Sequence, residues 1–291
     1  PLGGCFAWVV PFFMLIIFWG GSVENGSDWI WYRQSFFGLA EFDALDAVIR
    51  DSVYEPGFVS LMYMVQRMGL PYQALVFVIA AICAICWAKF IKSIGFLSPA
   101  LVIAFLMLID GWTLYNEQLR QAVAVSVGLL LFSWAEQRKW IRISLGFAIA
   151  LAFHFSSVVL VPMLIIQGVL NRRQGLWRSW GLVIAYPIVL GGVMAATLML
   201  TRIGFFGAVG LQLVQTKMDV FLESQSYGAP LVSAGLVSYV IGIAVVFLSR
   251  EKVAEQKSPM LNLAWHFSAA WCLAGPILRT VGIFVRFEHF F

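Results

Sequence analysis

The fold turns on one stretch, WIRISLGFAIALAFHFSSVVLVPMLIIQGVL, which runs from Trp140 to Leu170. As a single helix its 31 residues would extend roughly 46 Å at 1.5 Å per residue. That is far more than the ~30 Å hydrocarbon core of a bilayer, and only a steep tilt would accommodate it. Broken near His154-Phe-Ser-Ser157, the same stretch becomes two short helices folded as a hairpin. Charge chooses between the two. With the hairpin, Arg172, Arg173 and Arg178 fall on the same side as Lys89 and Arg138, and Arg250, Lys252 and Lys257 join them after the later spans. With a single helix those three arginines cross over and everything after them inverts.

Composition sets the frame for that choice. Of the 291 residues 61% are apolar and 12% charged, and the mean hydropathy is +0.88. A soluble domain carries roughly a quarter charged residues, so this inventory cannot clothe a water-exposed surface. Runs such as Ala74 to Cys86 lack the alternation of a membrane β-strand. The expected fold is therefore all-α, a polytopic integral membrane helical bundle with about nine spans and an interfacial helix on the outer face. The whole of 1–291 reads as a single transmembrane domain. Pro1 opens almost directly onto an apolar stretch and the chain stops within an aromatic run, so both ends read as cut.

The spans follow from the apolar segments: Leu2 to Gly21, Tyr72 to Ala88, Ser98 to Ile109, Gln118 to Ala135, the two arms of the hairpin, then about 179–200, 231–248 and 260–278. Residues 22–70 form an outer loop with a short helix from Phe58 to Met68, too polar and too short to cross. Residues 201–230 form a second outer loop. On this topology eleven of the nineteen basic residues and three of the fifteen acidic ones lie inside, leaving eight basic and twelve acidic residues outside or at its margins. The formal net charge of +4 thus divides as the positive-inside rule requires, and nucleic acid is not an expected partner. Cys83-Ala-Ile-Cys86 has CxxC spacing but no polar neighbours, and its thiols read as small core hydrophobes.

The irregular polar segments gather at the outer face, and chemistry is expected there. Arg120 opens a helix at that boundary. A snorkelling anchor is the simple account, but Glu117, Arg120 and Gln121 stand at i, i+3 and i+4 on one face, and an arginine fork suits diphosphate oxygens. His154 lies at the hairpin turn, where a neutral imidazole serves as general base or donor, or simply bonds a helix-end carbonyl. Asp28 stands four residues before Tyr32 and can cap a helix. Glu55-Pro56-Gly57 must be extended and then turn, which presents a carboxylate just before the short helix. Near the end, Arg279, Arg286, Glu288 and His289 supply cations and an acid–base pair. No metal motif and no phosphate loop is present, and no cofactor is expected.

Taken in order, Gly26-Ser-Asp28-Trp-Ile-Trp-Tyr32, Glu55-Pro-Gly57-Phe58, Leu119-Arg120-Gln121-Ala122-Val-Ala124, Lys139 and Ala152-Phe-His154-Phe-Ser156 resemble the EpsG-like branch of Wzy-type polysaccharide polymerases. Arg286-Phe-Glu-His-Phe290 is similar to that family's late arginine-aromatic segment. An arginine often precedes the Gly-x-Asp motif in the family, and here Val23-Glu24-Asn25 stands in that place.

The resemblance implies a multi-pass glycosyltransferase of the bacterial inner membrane, working at the periplasmic face on undecaprenyl-diphosphate-linked repeat units. Its partners would be that glycan, membrane lipid and a copolymerase that regulates chain length. The catalytic candidates are His154, Asp28 and Glu55. The substrate-binding candidates are Arg120, Gln121, Glu117, Tyr32, Arg279, Arg286 and His289. Two other classes stand beside this one: a flippase or transporter of lipid-linked oligosaccharide, which would carry charges near the bilayer midplane, and a membrane O-acyltransferase, which would draw its donor from the cytoplasm.

Overall fold

The computed structural model describes residues 2–21, 28–94 and 118–161, with a few isolated positions besides. The expected spans near 98–109, 179–200, 231–248 and 260–278, the loop 201–230, and the hairpin's second arm beyond 161 lie outside the described residues. The chain divides into two compact units, Pro1–Val158 and Val159–Phe291. The elements below all belong to the first, up to its boundary.

Every described element is helical. In order they are α1 (Leu2–Gly21), α2 (Trp29–Gly38), a 3₁₀ turn (Leu39–Glu41), α3 (Leu45–Asp51), α4 (Pro56–Arg67), α5 (Tyr72–Ile94), α6 (Leu119–Glu136), α7 (Trp140–Phe153) and a 3₁₀ turn at Phe155–Val159. Two helices are long and apolar enough to cross a membrane, Tyr72–Ser93 and Leu119–Glu136, with shorter apolar helices at Trp8–Gly21 and Trp140–Phe153.

The long helices pack as a row in which α1 meets α5, α5 meets α6 and α6 meets α7. Helical spacing explains each seam. On α1, Phe12, Leu15 and Trp19 are buried; on α5, Leu75, Val76, Ile79, Ala80, Cys83 and Ala84 are buried, the 3–4 rhythm of one helix face. Gly20 lets α1 close onto α5, because a Cβ there would stand 2.3 Å from the Phe77 ring. The middle helix, α6, is buried at almost every position from Leu119 to Ser133. Outward, α1 shows Val9, Val10, Phe13, Met14, Ile17 and Phe18, and α7 shows Ile141, Leu145 and Ile149. Contiguous exposed apolar faces on packed apolar helices are what a lipid-embedded bundle requires.

Three contacts fix which helix ends lie together. The Gln73 side-chain amide donates to the carbonyl of Gly20, so the end of α1 meets the start of α5. Ser93 and Ser133 share a hydrogen bond of 2.6 Å, so α5 and α6 run in the same direction. The α6–α7 turn then sends α7 back, and Gly146 lies against Leu131 and Trp134. One end of the row therefore carries residues 28–71, the start of α6 and the end of α7. The other carries Lys89, Lys92, Arg138, Lys139 and Arg142. Within this unit the separation of polar site and basic residues follows the sequence expectation, and so does the break at His154.

Other expectations change. Residues 28–54 form two short helices and a 3₁₀ turn, where the sequence, with seven acids in 22–57, reads as an irregular polar loop. The α5 helix continues six residues past Ala88, to Ile94. The short helix expected at the interface buries its apolar stripe within the protein: Phe58, Val59, Met62 and Val65 are buried, and α4 packs on α3, α5 and α7.

Two helix ends use one device with different residues. After α4, Gly69 has φ +70 and donates to the carbonyl of Gln66, while Leu70 donates to that of Val65. After α6, Arg138 has φ +53 and donates to the carbonyl of Ala135, while Lys139 donates to that of Trp134. Both are Schellman closures, in which the left-handed position favours glycine. An arginine there costs about 1 kcal/mol, so Arg138→Gly is expected to raise the unfolding temperature of the detergent-solubilised protein by a few degrees. An unchanged or lower value would show that contacts of the Arg138 side chain offset the strain.

Candidate functional site

The site is assembled at the end of the row where α4, α6 and α7 meet. Glu55 is the residue before α4, held extended at φ −66, ψ 145 by the following Pro56 at the first helical position. Its backbone carbonyl accepts from Val59, while its carboxylate does not cap the helix and points across to α6. Arg120 lies in the first turn of α6. His154 ends α7, with φ −156 and ψ 118. Its N–H closes the helix on the carbonyl of Ala150 at 2.9 Å, and its own carbonyl accepts from the Ser157 N–H at 3.0 Å.

Gly57 brings α4 and α7 into contact. A Cβ on Gly57 would stand 2.8 Å from the carbonyl oxygen of Ala152 and 3.0 Å from its carbonyl carbon. That backbone approach places Glu55, two residues before Gly57, beside His154, two residues after Ala152.

The polar geometry is compact. Arg120 Nη1 lies 2.5 Å from Glu55 Oε2, with side chains 16% and 9% exposed. The other carboxylate oxygen, Oε1, stands 3.6 Å from His154 Nδ1 and accepts from the Phe155 N–H at 3.5 Å. Arg120 Nε donates to the Tyr32 hydroxyl at 3.3 Å, and that hydroxyl donates onward to Asp28 Oδ2 at 3.4 Å. Burial pushes the Tyr32 phenol up to about 12, against the pull of Arg120 and with Asp28 adding to the rise. The hydroxyl thus keeps its proton at any physiological pH and remains a donor to Asp28.

Rings brace the cation. The Arg120 guanidinium carbon lies 4.8 Å from the centre of the Tyr54 ring and 5.7 Å from that of Tyr32. Tyr32, Tyr54 and Phe58 in turn meet edge to face, with centres 5.1 to 5.8 Å apart. A guanidinium stacked on π faces and bonded on two edges is held in one orientation. Nη2 has no hydrogen-bond partner among the described residues.

Four of the expected site residues thus come together: Glu55, Arg120, His154 and Tyr32. Asp28 joins them through the Tyr32 hydroxyl. Gln121 is buried, 3% exposed. The anionic partner of Arg120 is Glu55, 65 positions away. Glu117, Arg279, Arg286 and His289 lie outside the described residues. Sequence reasoning missed Tyr54, and it read Gly57 as a turn and motif position without its packing role. For that role a signal existed in the apolar spacing of Phe58, Val59, Met62 and Val65, which marks a packed helix face with a glycine at its start. Nothing local marks Tyr54. No group of three or more His, Cys, Asp and Glu side chains gathers to hold a metal among the described residues.

The sequence model of the EpsG family matches residues 5–291. No curated protein and no solved structure matches. The chain belongs to the EpsG family, which gives it a polysaccharide-polymerase role at the coarse level and a place among membrane proteins.

Proposed function

We propose that this EpsG-family protein joins lipid-linked oligosaccharide repeat units, transferring the growing glycan from a polyprenyl diphosphate to a sugar hydroxyl of an incoming unit. The observation that carries the reading is the Arg120–Glu55–His154 cluster. A braced, partly exposed guanidinium stands beside a carboxylate–imidazole pair, at the end of the bundle opposite the basic turns. By the positive-inside rule that end faces the periplasm, where a lipid diphosphate headgroup lies within reach of residues at the helix ends.

The chemistry needs two things, and the cluster supplies both. The bond from the anomeric carbon to the diphosphate oxygen breaks, and the departing diphosphate gains charge that Arg120 stabilises. The acceptor hydroxyl oxygen forms the new bond to that carbon and gives its proton to His154. Glu55 beside Nδ1 orients the ring, so that Nε2 takes the proton, and it stabilises the imidazolium that results. Arg279, Arg286 and His289, late in the chain, are proposed as further ligands of the donor, and undecaprenyl diphosphate is the proposed lipid carrier.

The test is the purified protein in lipid vesicles with one defined lipid-linked repeat unit. Glycan ladders on the lipid are the expected product. Repeat units moved across the bilayer with no new glycosidic bond would make the protein a transporter instead.

A further inference from the structure

We infer that Glu55 is a built-in stand-in for the anionic group of the donor: it holds the Arg120 guanidinium until a lipid diphosphate arrives, and then yields it. The inference rests on the functional reading above and concerns how the same site is regulated. Three features carry it. The Arg120–Glu55 ion pair uses one of the two carboxylate oxygens, Oε2. The second oxygen already faces a different pair of partners, the Phe155 N–H and His154 Nδ1. The Arg120 side chain is the more exposed of the two, its Nε donates to the Tyr32 hydroxyl, and the Tyr54 and Tyr32 rings lie against its guanidinium. The cation therefore stays where it is, while the carboxylate has somewhere else to go.

A diphosphate oxygen and a carboxylate oxygen seek the same N–H donors of an arginine fork. Once the donor takes Nη1, Glu55 needs only to rotate about its terminal torsions to rest on Phe155 and His154. Its full negative charge then lies against the imidazole, which favours the protonated ring. Donor binding and readiness of the base are thus coupled through one side chain. His154 is a weaker base while Arg120 shares the carboxylate, and becomes a stronger one when the lipid diphosphate is in place. Among the described residues, the other charged or titratable groups facing this exchange include Tyr32 and Tyr54, which brace the cation, and Asp28, which accepts from the Tyr32 hydroxyl.

Competition makes an unusual prediction. Removing the charge of Glu55 must strengthen donor binding even though it removes a residue of the site. The experiment titrates the full chain in lipid nanodiscs with farnesyl diphosphate, a short prenyl diphosphate, comparing the native protein with Glu55→Gln, Glu55→Asp and Arg120→Ala. Glu55→Gln is expected to bind at least about tenfold more tightly, on the scale of coupling between close charges, while making no polymer. Glu55→Asp keeps the charge but draws it back by one methylene, and is expected to bind more tightly by a smaller factor, which preserves the test if the glutamine variant does not fold. Arg120→Ala is expected to lose binding. Arg120-dependent binding that both Glu55 variants leave unchanged or weaken overturns the inference and leaves the functional reading standing. Binding that Arg120→Ala does not affect removes Arg120 from the donor site and overturns both.

Discussion

Arg120→Ala is expected to lower polymer yield by at least about a hundredfold, the loss typical when a group that stabilises a leaving anion is removed. Arg120→Lys is expected to fare little better. A lysine keeps the charge but not the fork, and it cannot bond Tyr32 and Glu55 along two edges while lying flat on Tyr54. Stability confounds the alanine variant, because deleting one partner of a buried ion pair leaves the other charge uncompensated at a cost of about 3–5 kcal/mol. The double variant Arg120→Ala/Glu55→Gln removes that burden. It is expected to regain most of the unfolding temperature and none of the activity. Recovery of polymer in the double variant would assign the pair to the scaffold and exclude Arg120 from the chemistry.

Gly57→Ala is expected to be almost as damaging, although it adds a single methyl group. The obstacle is the backbone of Ala152 at 2.8 Å, which cannot swing aside as a side chain would. Either α4 or α7 must shift, at about 1–3 kcal/mol, and the shift falls on the two residues flanking the contact, Glu55 and His154. A displacement near 1 Å at a catalytic group can cost about a hundredfold in rate. Turnover by the reconstituted protein should therefore fall far more than its unfolding temperature does. Gly20→Ala, which meets only the Phe77 side chain, is the control: a similar loss of stability with turnover nearly intact. Equal losses of turnover in the two variants would show that close packing in general, and not the Glu55–His154 alignment, is what the enzyme needs.

What the sequence discloses and what it conceals separate by distance along the chain. The first apolar helix, the start of α6 at Arg120 and the break at His154 are local events, governed by apolar run length, a charge at a boundary and a polar cluster interrupting a helix. The Asp28–Tyr32 contact is one helical turn long and is equally visible. The pairing of Glu55 with Arg120 depends on α4 entering the groove beside α6 and α7, and no local preference encodes that. Spacing at i, i+3 and i+4 sets Arg120 and Gln121 each one turn from Glu117, but α6 is buried at nearly every position, so the surrounding helices decide which side chains meet. The helices within 28–54 were hidden for another reason: they are short, and they hold their shape by packing Tyr32, Phe36 and Val48 inward.

The enclosure of α6 has a consequence for how a polymer would grow. Arg120 is mounted in the first turn of a helix buried at nearly every position, and its guanidinium rests against two rings. A post of that kind cannot travel with the substrate. In the proposed reaction, successive lipid carriers would each dock at the same fixed point, and after every addition the sugar chain would slide outward by one repeat while the protein stands still. Product length then becomes a race between sliding and letting go, decided by whatever grips the glycan beyond the phosphate post.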